Sequence, residues 1–240
     1  MIELRLKFEL EKPELPKTIE KLMVSFLKAS LQNYSQELFE EMYDKSKSII
    51  KPYCFSYYLP GAVFKDEKIV LNENYFTMFF SNADLGQTIH WLNAFKLMKS
   101  KQYHMNGNSM ILKTVYTQEV PKIKDSEIVV KMMSSLIVRK HNSEDNTDIY
   151  YTYDQPEFAE VLKENVDIFL QKLNIPISTD GFSIVPIKGK KVISEAFGRK
   201  LDSNIGVYKL TGNSELLNLL LVAGVGVRRS AGHGKFKIIC

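Results

Sequence analysis

Residues 2–31, IELRLKFELEKPELPKTIEKLMVSFLKASL, change their apolar period midway, and that change decides the fold. In 2–10 the apolar residues Ile2, Leu4, Leu6, Phe8 and Leu10 alternate with charged ones, the period-two pattern of a strand with one buried face. Pro13 and Pro16 then interrupt it, since proline lacks the N–H that a sheet ladder needs. From Lys17 onward Ile19, Leu22, Met23, Phe26, Leu27 and Leu31 recur at steps of three and four, which predicts an amphipathic helix.

Working outward, a short helical stretch through Leu38, Phe39 and Met42 follows, and Pro52 ends it. Residues 53–64 and 68–80, rich in aromatic and β-branched side chains, predict two strands around a turn. Asn82 is the expected cap of a helix over 83–99, and 109–118 closes the set as a strand. The order β-α-β-β-α-β in about 120 residues is the split-βαβ pattern, with two helices on one face of an antiparallel sheet. The second half repeats it: a strand at 128–139, a short one at 149–153, a helix at 157–173, strands at 182–197 and 205–211, a helix at 214–222 and a strand at 235–239. The expectation is an α+β protein of two tandem domains, 1–121 and 122–240, joined near the Pro- and charge-containing stretch 119–126.

The composition, 45% hydrophobic and 25% charged, is that of a globular protein, and no apolar run approaches the roughly 20 residues of a membrane helix. The alternating N-terminus lacks the basic start and apolar block of a secretory signal, so a cytoplasmic location and no membrane partner are expected. Cys54 and Cys240 form no C-x-x-C pair, and His90, His104, His141 and His233 are scattered singly, so neither a disulfide framework nor a metal site is expected. Net charge is only +4, but unevenly spread. Residues 179–240 hold ten Lys/Arg against four acids, while 1–178 hold 22 against 24, so the last quarter is the part suited to a polyanion.

Within that quarter, 224–236 (GVGVRRSAGHGKF) sets Gly224, Gly226, Gly232 and Gly234 among Arg228, Arg229, Ser230 and Lys235, between a helix and the last strand. Closely spaced glycines let backbone N–H groups approach a phosphate while arginines neutralise it. The plainer alternative is a turn whose glycines serve tight packing. The loop follows a helix rather than opening one, so it is not a Walker A loop. Residues 188–200 (KGKKVISEAFGRK) add Lys188, Lys190, Lys191, Arg199 and Lys200 on a predicted hairpin, a ribbon fit to grip an RNA backbone, and Arg139 and Lys140 extend the track.

Two tandem ferredoxin-like units that end in this glycine-rich loop resemble the CRISPR-associated repeat-RNA endoribonucleases of the repeat-associated mysterious protein superfamily. The match in topology covers the whole chain; the residue-level match is confined to the loop and, more weakly, to SSLIVRK at 134–140. The resemblance implies binding of CRISPR repeat RNA and its cleavage into guide RNAs without a cofactor. In that chemistry the ribose 2′-OH attacks the adjacent phosphate and leaves a 2′,3′-cyclic phosphate and a 5′-OH. It needs a base, an acid and a cation on the phosphorane. Homodimers and other CRISPR effector proteins are the further partners that the resemblance implies.

The family commonly places a histidine near the end of the first helical region, whereas residues 1–89 here contain none. The corresponding stretch, 42–53 (MYDKSKSIIKPY), offers Tyr43, Lys45, Lys47 and Lys51 as catalytic candidates, and the loop offers His233. Lysines there would act by charge on the phosphorane or, if desolvated, in proton transfer; a solvated face after a helix is the plainer alternative. His233 would act as a base, stack on a nucleobase or simply pack. Three other functions stay open: a relative that binds repeat RNA without cutting it, a subunit that coats guide RNA in an effector complex, and an unrelated protein whose duplicated ferredoxin-like domains serve only protein contacts.

Overall fold

The computed structural model describes residues 1–44, 46, 49–196 and 198–239. It comprises two compact units: Ile2–Lys51 with Ser56–Val120, and 121 onward with Met1 and Pro52–Phe55.

In the first unit the strands are β1 (Ile2–Leu10), β2 (Glu14–Pro16), β3 (Tyr53–Tyr58, of which Tyr53–Phe55 count with the second unit), β4 (Val63–Phe64), β5 (Lys68–Val70), β6 (Tyr75–Asn82), β7 (Gln102–Met105) and β8 (Asn108–Glu119). Its helices are α1 (Ile19–Tyr34), α2 (Gln36–Tyr43) and α3 (Leu85–Met98). The main sheet runs β3-β6-β1-β8-β7, and β2, β5 and β4 form a small separate sheet. The alternation in β1 does what period two requires: Leu4, Leu6, Phe8 and Leu10 are buried under the helices, and Arg5, Lys7 and Glu9 lie on the other face. Phe8 stacks on Phe76 at 4.8 Å and meets Phe26 of α1 edge-on at 5.1 Å, while Phe80 packs on Trp91 and Phe95 of α3.

In the second unit the strands are β9 (Glu127–Met132), β10 (Val138–Asn142), β11 (Thr147–Tyr151), β12 (Ser183–Ala196), β13 (Arg199–Thr211) and β14 (Phe236–Ile238). The helices are α4 (Phe158–Lys172) and α5 (Ser214–Ala223), and a 3-10 turn spans Arg229–Ala231. The sheet runs β12-β13-β9-β14. Apart from insertions, each sheet has the order second, third, first, fourth within its own βαββαβ set, so both units are ferredoxin-like.

Four local expectations change. The strand expected over 128–139 is two strands, because 133–137 leave β9 to bond the end of the glycine-rich loop: Met133 N–H donates to Lys235 O at 2.8 Å and Gly234 N–H to Ser135 O at 2.9 Å. The stretch 53–64 likewise divides into β3 and β4, which lie in different sheets, and 68–80 into β5 and β6. The cap of α3 is Asp84, whose carboxylate accepts from Gln87 N–H at 2.7 Å; Asn82 instead accepts from Asp84 N–H and so orients the cap.

Candidate nucleic-acid interface and lysine cluster

Two elements of the first unit converge on Tyr43. Helix α2 starts where Ser35 Oγ accepts from Leu38 N–H, and Tyr43 is its last residue. The Lys28 Nζ of α1 lies 5.2 Å from the Tyr43 ring centroid and the Lys51 Nζ lies 4.8 Å from it, so one aromatic face system holds two ammonium groups. Phe39 packs on the same ring at 5.5 Å. Lys51 is half-buried, and burial followed by the charge of Lys28 lowers its pKa below the ordinary lysine range. An open cleft of about 480 Å³ beside Tyr43 is lined by Phe39, Glu40, Glu41, Tyr43 and Asp44. Lys45 and Lys47 lie outside the described residues. Lys28 was not among the residues singled out from sequence: it stands on α1, fifteen positions before Tyr43, and no local spacing links them.

The glycines of the loop lie against packed neighbours. Gly232 lies against the Phe55 ring and Gly224 against Cys54, and an added Cβ at Gly234 would overlap Val225 O. These glycines let the chain cross itself at close quarters. Arg229, Lys235 and His233 are only 7%, 4% and 2% exposed. The Arg229 guanidinium lies 3.5 Å over the Phe169 ring, and burial lowers its pKa to about 10. Arg228, in left-handed backbone at φ 58°, and Ser230 keep partial exposure.

Within this loop, His233 Nδ1 bonds Ser135 Oγ at 2.8 Å, and Nε2 is buried with no protein partner among the described residues. Burial, then the charge of Arg228, pushes its pKa down to about 4, so the ring is neutral at pH 7. The unfolded chain then binds a proton between pH 6.5 and about 4 that the folded chain does not. Folding stability is therefore expected to fall as pH drops through that window, by about 3 kcal/mol at most. Denaturant midpoints at pH 7 and pH 4.5 check this; His233→Asn, which cannot titrate, should flatten the difference, and an equal drop in that variant would assign the effect elsewhere.

The β12–β13 hairpin carries Lys188, Lys190, Lys191, Arg199 and Lys200, all exposed. Lys191 pairs with Asp202 at 2.9 Å. Register adds residues the sequence reading missed: Lys188 pairs with Val207, Val207 with Lys131 and Lys131 with Lys237, which sets three lysines in one row across all four strands. Arg139 and Lys140, on the β10–β11 ribbon, are instead engaged in ion pairs, with Asp148 at 3.1 Å and Glu164 at 3.8 Å. The helix-free face of the first unit's sheet has a comparable character. Lys7 Nζ lies 4.1 Å from the Tyr75 ring centroid and the Arg5 guanidinium 5.4 Å from that of Phe79, and Tyr116 is exposed beside Arg5. No helix of the described residues is long and apolar enough to cross a membrane.

The sequence profile of "CRISPR associated protein Cas6, C-terminal" matches residues 118–238. Among solved structures, the chain is similar to one described as an RAMP protein binding different RNA substrates, at 16% identity, covering 100% of both chains with a TM-score of 0.84. It is similar to one described as a Cas6-related gene from Pyrococcus furiosus, at 13% identity, covering 99% of this chain and 98% of that chain with a TM-score of 0.86. A third, described as CRISPR associated protein Cas6, is 13% identical, covers 100% of this chain and 99% of that chain, and gives a TM-score of 0.78. At such identities the likeness shows the fold, two tandem ferredoxin-like units. None of the curated proteins compared with it matches the sequence.

Proposed function

The chain belongs to the Cas6 family of CRISPR-associated proteins, and on that footing we propose that it binds CRISPR repeat RNA and cuts it by attack of a ribose 2′-OH on the adjacent phosphate. The observation that carries the chemistry is the pair of lysines on the Tyr43 ring. Lys51, whose pKa is lowered by burial and by the neighbouring cation, takes the 2′-OH proton. Lys28 stabilises the charge that develops on the phosphorane and protonates the leaving 5′ oxygen. Tyr43 holds both side chains in place, and Lys45 and Lys47 stand in sequence between Tyr43 and Lys51 as further cations. The bond formed is P–O2′, the bond broken is P–O5′, and the products are a 2′,3′-cyclic phosphate and a 5′-OH.

Binding falls to the exposed cations. The lysine row Lys188–Lys131–Lys237 and the hairpin residues Lys190, Arg199 and Lys200 suit a phosphate backbone. Arg5, Lys7, Tyr75, Phe79 and Tyr116 suit unpaired bases, because an aromatic face accepts any base and the cations offset phosphate charge. Arg228 and Ser230 are the loop residues that reach RNA; His233, neutral and buried, holds the loop.

One observation favours a binder that does not cut: Glu40, Glu41 and Asp44 line the cleft beside Tyr43 and oppose a phosphate there. End-labelled repeat RNA incubated with the protein in EDTA, beside a copy with 2′-deoxyribose at the cut site, separates the two. Cleavage of the unmodified RNA alone, ending in a cyclic phosphate, is the expected result. Tight binding with both RNAs intact would establish the binder instead.

A further inference from the structure

The segment 133–137 stands between two elements that the sequence reading treated separately. On one side it holds the glycine-rich loop: Lys235 N–H donates to Ser134 Oγ at 3.0 Å, Gly234 N–H to Ser135 O at 2.9 Å and Val227 N–H to Ile137 O at 3.0 Å. On the other it holds β13: Leu136 N–H donates to Asn204 O at 2.7 Å, and Asn204 N–H returns a bond to Leu136 O at 2.9 Å. Side chains join the same partners. Ser194 of β12 donates its Oγ proton to Ser135 Oγ at 2.8 Å, Ser203 Oγ lies 2.7 Å from Ser194 Oγ, and Val192 O, 3.1 Å away, is a second acceptor within reach of the same Ser203 proton. Ser135 Oγ in turn meets His233 Nδ1 at 2.8 Å.

Each hydroxyl has one proton to give. Ser194 gives its proton to Ser135 Oγ, and Ser135 Oγ and His233 Nδ1 share the next bond, in which either atom can be the donor. The chain of bonds runs from the hairpin through Ser194 and Ser135 to the imidazole of the loop. The chain is part-buried, with Ser203 and His233 inside and Ser135 and Ser194 partly exposed, and removing one member takes a bond from each of its neighbours.

We propose that Ser194 and Ser135 are positioning residues that lock the glycine-rich loop to the basic β12–β13 hairpin, so that RNA held by the hairpin meets a loop of fixed geometry. The functional half of this inference rests on the repeat-RNA reading above; the mechanical half does not. Ser194→Ala cuts the relay at a residue distant in sequence from the loop. It is expected to speed hydrogen exchange of the Gly234 and Lys235 amides and, at saturating repeat RNA, to slow cleavage by about five- to tenfold, with the RNA Kd changed by less than about twofold. Ser194→Thr, which restores the hydroxyl, should recover both readouts. Ser135→Ala should act alike, and the double variant should be no worse than Ser135→Ala alone, as residues in one chain of bonds require.

Unchanged exchange of the loop amides in Ser194→Ala, or single effects that multiply in the double variant, would overturn the coupling. So would losses in Ser194→Ala that Ser194→Thr fails to restore. A wild-type protein that neither binds nor cuts repeat RNA would refute the RNA reading instead, and the exchange measurement would still decide whether the relay couples loop to hairpin.

Discussion

Lys51→Ala is expected to slow cleavage of repeat RNA by about 10²- to 10⁴-fold, the share that positioned acid–base catalysis ordinarily supplies, while RNA binding weakens far less. The reason is local. Half-burial and the neighbouring Lys28 lower the pKa of Lys51, so at a given pH more of it is neutral than of an exposed lysine. If the neutral amine takes the 2′-OH proton, wild-type cleavage rises with pH and levels off below the ordinary lysine range. Lys51→Arg separates the two roles that a lysine combines, because a guanidinium keeps the charge but does not give up its proton. That variant should bind RNA like the wild type, cut slowly and lose the pH rise. Single-turnover rates across the pH range provide the check; a Lys51→Ala rate within threefold of wild type would remove Lys51 from the chemistry.

Gly234→Ala is expected to destabilise the second unit by about 3 kcal/mol, adding the strain of a left-handed alanine to the overlap of its Cβ with Val225 O. A suitable comparison is Gly107→Ala. Gly107 has a similar φ, +73° against +75°, but a Cβ there meets nothing within 4 Å, so only the backbone strain of about 1–2 kcal/mol remains. Denaturant unfolding of the two variants measures the difference. Equal losses would mean that the crossing at Val225 relaxes at no cost, and that the loop glycines are free for another purpose.

These two expectations also divide what each level of structure determined. Local pattern was sufficient for the architecture. The alternation through Ile2–Leu10, the three- and four-residue steps through Ile19–Leu31 and the same two periods in the second half specify which face of each element is apolar, and a βαββαβ set with those faces has one compact packing. The lysine-bearing stretch after α2 was likewise legible as a cluster of charge. Composition also pointed to the basic hairpin, since charged side chains on an exposed ribbon need no partner to be recognised.

Tertiary structure alone decided what those charges and glycines do. Lys28 joins Lys51 on Tyr43 only because helix packing brings residues far apart in sequence within reach of one ring, and the lowered pKa of Lys51 exists only after that burial. The lysine row of Lys188, Lys131 and Lys237 depends on strand register, which no single segment encodes. Most plainly, GVGVRRSAGHGKF reads as a phosphate loop while its glycines and arginines are taken as a solvated segment. In the folded chain Arg229 lies over the Phe169 ring and His233 bonds Ser135, where desolvation penalises the charge that solvent would have supported. The sequence by itself determined the fold and the sign of the surface; proximity and burial, which exist only once the chain is folded, decided which charged groups remain available to act.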